Sequence, residues 1–116
     1  MPTRLVILCL SRGWGGLEIH VRDYARWLAG RHDVDLTLAL HPGGRLCGEL
    51  ANLRAHVVPL APGLAKLPWF SAGRLAGAID RGGIDIVHSH MHQDLPLAAF
   101  ARLRSRRRPA LVHTQH

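Results

Sequence analysis

The sequence predicts an α/β fold: a Rossmann-like parallel sheet of about five strands with flanking helices. Three observations carry that reading. Apolar runs of strand length alternate with amphipathic helical patterns along the whole chain. The first apolar run opens directly into a glycine-rich turn and a helix start, the usual construction of a ligand site in such folds. The chain has 116 residues, 47% of them hydrophobic and 20% charged, which suits one globular domain with a single core.

The elements follow in order. Leu5-Val6-Ile7-Leu8-Cys9-Leu10 is an unbroken apolar run of strand length and reads as the first strand. After Ser11-Arg12-Gly13-Trp14-Gly15-Gly16, residues Leu17, Val21, Tyr24, Ala25 and Leu28 recur at helical spacing, and the pattern stops at Gly30. Glu18 and Arg22 stand four apart in the favourable order for a surface pair. Val34, Leu36, Leu38 and Leu40 alternate with Asp35, Thr37 and Ala39 as a second strand, broken by His41-Pro42-Gly43-Gly44. Leu46, Leu50 and Leu53 give a short helix, and residues 55–60 a third strand. The segment 61–70 is an apolar loop with two prolines. Ser71 is read as the N-cap of a helix carrying Leu75, Ala76 and Ile79 to Gly82-Gly83. Residues 84–90 form the fourth strand. Asp94 is placed to cap a helix bearing Leu95, Ala98, Phe100 and Ala101, with Pro96 in its first turn. Residues 110–114 are the last strand.

Composition sets limits on function. No apolar stretch approaches the roughly 20 residues that span a bilayer, and the N-terminal run is short for a signal peptide and lacks a small-residue cleavage site. A cytoplasmic protein is expected, with peripheral contact at the inner membrane face as an extension of that expectation. Cys9 and Cys47 fall in no metal or redox spacing, and Cys9 is read as a small core hydrophobe. The formal charge is +7, almost all of the basic residues being arginine. They are spread along the chain except for Arg102, Arg104 and Arg106-Arg107-Arg108, and no nucleic-acid-binding motif accompanies them, so no nucleic-acid partner is expected. That run reads as a solvated helix end, with anionic lipid headgroups as the alternative contact. Lys66, Trp69 and Phe70 either dip into a membrane surface or pack over the sheet edge.

Ligands of parallel sheets bind at the carboxyl ends of the strands. Three groups fall there: the loop 13–18, the histidines around His90, and His113-Thr114-Gln115-His116. The loop is not a dinucleotide fingerprint: Gly13 and Gly15 fit, but Glu18 stands where the third glycine belongs, and the second strand ends without an acid for the ribose. It is not a P-loop either, for no Gly-Lys-Ser/Thr follows. His88, His90 and His92 alternate and would share one strand face, as in zinc hydrolases, yet Asp94 is the lone carboxylate nearby. No metal site is therefore assigned. A histidine just past a strand end, as His116 would be, can act as a base, orient a hydroxyl or fill space.

These motifs together resemble the N-terminal domain of a family 4 glycosyltransferase with the GT-B fold. Gly15-Gly16-Leu17-Glu18 is similar to the family's Gly-Gly-x-Glu at the first helix, and residues 84–90 to its Asp-Ile-Val-His-x-His strand. Thr114-Gln115-His116 is similar to its Thr-x-His, while residues 39–44 and 56–60 fit its second and third strands. The resemblance spans residues 1–116 and implies an acceptor-side domain, incomplete at its C-terminus. It implies a retaining transfer of a sugar from a nucleotide sugar to a glycan or a lipid-linked acceptor, with no metal at the catalytic step and no cofactor, the nucleotide sugar being substrate. Gly15 and Gly16 would lie beside the donor phosphate and transferred sugar. His116 would be the catalytic-cleft histidine. Glu18, His90 and His113 would belong to the acceptor-side cleft, Glu18 holding the loop. The family's donor-binding glutamates belong to a second domain, so a chain of these residues alone is expected to be inactive unless a partner chain supplies that half. The alternative from another class is a small non-catalytic α/β module that binds an anion or a protein.

Overall fold

The computed structural model describes residues 2–61 and 69–115. Along the chain lie β1 (Thr3–Cys9), α1 (Gly16–Ala29), β2 (Val34–Leu40), α2 (Arg45–Glu49), β3 (His56–Pro59), α3 (Trp69–Gly82), β4 (Ile86–Ser89), a 3-10 turn (His92–Asp94), α4 (Leu95–Arg104) and β5 (Ala110–His113). The five strands form one parallel sheet in the order β3-β2-β1-β4-β5. That is the expected α/β arrangement, with β1 at the centre.

The position of β1 explains its composition. It pairs with β2 from Thr3↔Val34 to Cys9↔Leu40 and with β4 from Leu5↔Ile86 to Leu8↔Ser89. Both faces are covered. Val6, Leu8 and Leu10 enter a core with Leu75 and Ile79 of α3 and Leu97, Ala98 and Ala101 of α4. Leu5, Ile7 and Cys9 enter a second core with Val21, Ala25 and Leu28 of α1 and Leu46 of α2. Each fully buried Leu or Ile contributes about 1.5–3 kcal/mol, so a polar residue anywhere in residues 5–10 would damage one core or the other.

Local chemistry ends the helices. α3 closes on Gly83, whose φ of 62° is left-handed. Ile84 N–H donates to the Ile79 carbonyl at 3.0 Å and Gly83 N–H to that of Asp80 at 3.4 Å, a Schellman-type closure. After α4 the chain is held by Asp80, which accepts the Ser105 hydroxyl at 2.7 Å and the N–H groups of Arg106 and Arg107 at 3.1 and 3.3 Å. Those bonds, the Ser105 hydroxyl foremost, hold the Asp80 carboxyl below its ordinary range. The basic run is thus partly structural. Arg102 Nε donates to the Pro109 carbonyl at 2.7 Å, and Arg107 reaches Asp85 at 3.0 Å.

Several local expectations change. Ser71 does not cap α3; the helix starts at Trp69 and Ser71 is buried within it. Leu97 replaces Leu95 and Phe100 on the buried side of α4. Glu18 does not pair with Arg22, which instead bonds Asp23 at 3.1 Å and Glu49 at 3.5 Å. Lys66, the Trp69 side chain and His116 lie outside the described residues.

The β1–α1 and β2–α2 loops touch at Gly44, where a Cβ would collide with the Ser11 carbonyl oxygen and stand 3.4 Å from the Arg12 Cα. Backbone on backbone leaves nothing to yield. Gly44→Ala should lose about 1–3 kcal/mol, seen as a lower urea midpoint at unchanged slope. Gly48→Ala, with nothing within 4 Å, should be neutral or stabilising. Equal losses for the two would contradict this packing.

Candidate functional site

The strand order reverses at β1, so the crevice between the loops after β1 and β4 lies at a topological switch point. Its geometry begins where pairing stops. β1 and β4 pair as far as Leu8↔Ser89, and His90 N–H still reaches the Leu8 carbonyl at 3.2 Å. Beyond that the chains part. The buried Leu10 N–H finds Asp94 Oδ2 at 2.8 Å instead. Asp94 occupies the expected N-cap position of α4 but makes no side-chain cap bond; its carboxylate serves β1. It is 6% exposed, and burial raises its pKa above the ordinary 3.8, against the opposing effects of the Leu10 hydrogen bond and the His113 charge.

Glu18 braces the glycine loop. Its Oε2 accepts the Ser11 hydroxyl at 2.6 Å, and Ser11 Oγ accepts Gly13 N–H at 3.2 Å. The two glycines that follow are not demanded by the chain itself. Gly15 is extended (φ −172°) and a Cβ there would meet only Glu18 Oε1, at 3.5 Å. A Cβ on Gly16 would meet nothing within 4 Å. The N-cap makes no side-chain bond, and the first-turn N–H groups of α1 have no helical carbonyl to donate to. The result is bare backbone beside open space at the positive end of a 14-residue helix. Over the same loop, the Trp14 ring carries the guanidinium of Arg45 at 4.3 Å and that of Arg22 at 5.6 Å.

The histidines separate into two groups. His88 bridges Tyr24 Oη at 3.2 Å and Thr114 Oγ1 at 2.6 Å, joining α1, β4 and the end of β5. His90 stacks on His88 with centroids 4.1 Å apart and is only 2% exposed. His113 lies on the opposite face of the sheet. The Ser89 hydroxyl donates to the Met91 carbonyl at 3.3 Å, so its lone pair faces His113 Nδ1 at 3.2 Å, and Nδ1 carries the proton. His92 does not continue the alternation: the strand ends at Ser89, and His92 sits on the 3-10 turn with its ring 6.4 Å from that of His113. Among the described residues no group of three His, Cys, Asp or Glu side chains converges as a metal site would require.

Cys9 ends β1 in the α1-side core. Burial, the largest effect, pushes its thiol up to about 12 and makes it unreactive. A cavity of about 750 Å³ opens at the other end of the sheet, lined by Arg31, Asp35, Arg54 and His56 among others, away from these groups. The crevice is identified by converging polar groups and bare backbone, not by volume. The structure thus brings Gly15, Gly16 and Glu18 to one loop, with His90 across the switch point and His113 beyond it. Sequence reasoning missed Ser11, Tyr24 and Thr114 as partners of this site, and Asp94 as the partner of Leu10.

Two tests follow from these bonds. Glu18→Ala should lose about 1 kcal/mol in urea unfolding and Ser11→Ala more, since Ser11 also accepts the Gly13 N–H; the double variant should lose about as much as Ser11→Ala alone, because both remove the shared bond. Additive losses would contradict the brace. Asp94→Asn keeps an acceptor for Leu10 but no charge. The folded wild type holds the Asp94 proton more tightly than the unfolded chain does, so this residue's contribution falls as pH rises above 3.8 through the raised native value. The stability of Asp94→Asn relative to wild type should therefore increase with pH over that window; a constant difference would contradict it.

A family model described as Glycosyltransferase Family 4 matches residues 14–116, from Trp14 in the glycine loop through β5 to the end of the given sequence. No curated protein and no solved structure matches the chain. The match takes in the glycine loop, the switch-point crevice and the histidine-bearing strands in one continuous span. On that match and this fold, the chain belongs to Glycosyltransferase Family 4.

Proposed function

We propose that this chain is the acceptor-side domain of a retaining glycosyltransferase, which moves a sugar from a nucleotide sugar to a glycan or lipid-linked acceptor. The observation that carries the reading is the pair Gly15 and Gly16. Neither is required by a positive φ or by a neighbouring atom of this chain, so the missing side chains serve something that approaches from outside. A diphosphate at this backbone would meet the undonated N–H groups of the first turn of α1 and the positive end of its dipole. As the sugar–phosphate bond breaks, charge grows on the leaving phosphate, and fixed N–H donors stabilise it without reorganisation.

The remaining residues take roles consistent with their places. Glu18 holds the loop through Ser11 and is committed to that bond. His90 and His113 stand behind the acceptor side of the cleft, His113 held through Nδ1 by Ser89. His116 is the cleft histidine in this reading, two residues beyond Thr114, which His88 anchors. The nucleotide is held by a second domain, so these residues alone bind but do not turn over. No metal takes part in the step.

The test separates fold from function. At a position where a Cβ meets nothing, Gly16→Ala should leave stability unchanged or raise it by up to about 1 kcal/mol. Uridine or guanosine diphosphate at millimolar concentration should shift the amide resonances of residues 15–18. The alanine should weaken that binding about tenfold. Undiminished binding by Gly16→Ala, or shifts confined to distant amides, would contradict the proposal. Plain pyrophosphate should shift the same amides about as well, since in this reading the nucleoside belongs to the second domain.

A further inference from the structure

The glycine loop has a second side. The strand order places β4 on one flank of β1 and β2 on the other. The crevice lies toward β4. Toward β2 the loop rests on the β2–α2 turn, where a Cβ on Gly44 would stand 3.4 Å from the Arg12 Cα. That turn is fixed by its own bonds: Gly43 N–H donates to His41 Nδ1 at 2.9 Å and Gly44 N–H to the His41 carbonyl at 3.1 Å. Arg12 and Arg45 therefore spring from backbones in contact, and Trp14 joins them. Its ring is half-buried against the α1-side core and holds the Arg45 guanidinium at 4.3 Å. Both arginines are exposed, and neither guanidinium has a carboxylate partner among the described residues. The neighbouring acids are spent, Glu18 on the Ser11 hydroxyl and Glu49 on Arg22. His41 accepts at Nδ1, so its proton sits on Nε2, a further donor in the same turn.

We propose that this side of the loop is a subsite for an anionic group, a phosphate or a carboxylate, carried by the sugar that accepts the transfer. Arg45 binds it with Arg12 beside it, and Trp14 is the positioning residue. The inference rests on the acceptor-side reading given above. Three physical points carry it. Attraction of a guanidinium to a ring face leaves its N–H donors free for a conventional acceptor. The indole holds the Arg45 head before any ligand arrives, so less side-chain freedom is lost on binding than a loose surface arginine would lose. A guanidinium fork matches the paired oxygens of either oxyanion. The place fits an acceptor better than the donor. The donor diphosphate meets bare backbone at Gly15 and Gly16, whereas Arg45 stands across the loop on the β2 flank. Trp14 directly precedes Gly15, so the two subsites adjoin and one sugar ring can reach from the anion to the transferred group. Two cations without internal partners then select against a neutral acceptor, which offers them nothing in exchange for their water.

Nuclear magnetic resonance titration of the chain as given, at constant ionic strength, tests it. Millimolar glucose 6-phosphate should shift the Trp14 indole N–H and the amides of residues 12–14 and 43–46, and glucose should not. Arg45→Gln should weaken that binding about tenfold and Arg12→Gln about threefold. Arg54→Gln removes the same charge at the far end of the sheet and should have no effect. These are exposed positions, so circular dichroism should show every variant folded. Glucuronate in place of glucose 6-phosphate tells a carboxylate from a phosphate, and the tighter of the two names the group. Uridine diphosphate should still shift residues 15–18 in Arg45→Gln. Glucose binding as tightly as glucose 6-phosphate, inorganic phosphate binding as tightly as the sugar phosphate, or equal losses in Arg45→Gln and Arg54→Gln would overturn the inference. So would loss of the uridine diphosphate shifts in Arg45→Gln, which would assign that arginine to the donor. Failure of glucose 6-phosphate alone overturns the subsite and leaves the proposed reaction standing. Failure of uridine diphosphate alone overturns the reaction and leaves a site for anionic sugars.

Discussion

One hydrogen bond sets the shape of the crevice. At the carboxyl end of β1 the neighbouring strand departs, and the Leu10 amide is left buried without a strand partner. An unsatisfied buried N–H costs about 1–3 kcal/mol. Asp94, from a turn 84 residues away in sequence, supplies the acceptor. The same carboxylate satisfies the end of β1 where β4 departs and ties the turn before α4 to the strand that leads into the Ser11–Gly16 loop. The accompanying penalty is a carboxyl group buried against its own charge, which is why its pKa rises.

The charge balance has the same character. All eight acidic residues of the chain have a bonding partner. Glu18, Asp80 and Asp94 accept from Ser11, Ser105 and Leu10. Asp23, Asp33, Asp35, Glu49 and Asp85 face Arg22, Arg31, Arg4, Arg22 and Arg107. The carboxylates are consumed internally, and what faces solvent is the arginine excess. A net charge of +7 is then a property of the surface more than of the fold.

Much of the fold was legible in the sequence, for identifiable reasons. The unbroken run 5–10 marked the first strand, and the spacing of Val21, Ala25 and Leu28 marked the buried side of α1; that both faces of the strand are covered came from the structure. What failed was local competition decided at long range. Glu18 and Arg22 have ideal helical spacing, but Ser11 comes nearer once the loop folds back, and Glu49 from α2 takes the arginine. The alternation of His88, His90 and His92 assumed a longer strand than the one that ends at Ser89. The 3-10 turn then sets the phase of α4, so Leu97, not Leu95, faces the core. The glycine loop was placed correctly between the first strand and the first helix. That its glycines are free of internal constraint could only come from the atoms around them.

Hydrogen exchange at the Leu10 amide tests the central claim most directly, since it reads the one bond on which the crevice is built. Protection of Leu10 as strong as that of Ile7 in the middle of β1, lost selectively when Asp94 is replaced by alanine while Ile7 stays protected, is the result this account predicts. A Leu10 amide that exchanges as fast as Gly13 in the wild-type chain would mean that Asp94 does not hold the end of β1. The geometry assigned to the crevice would then be wrong.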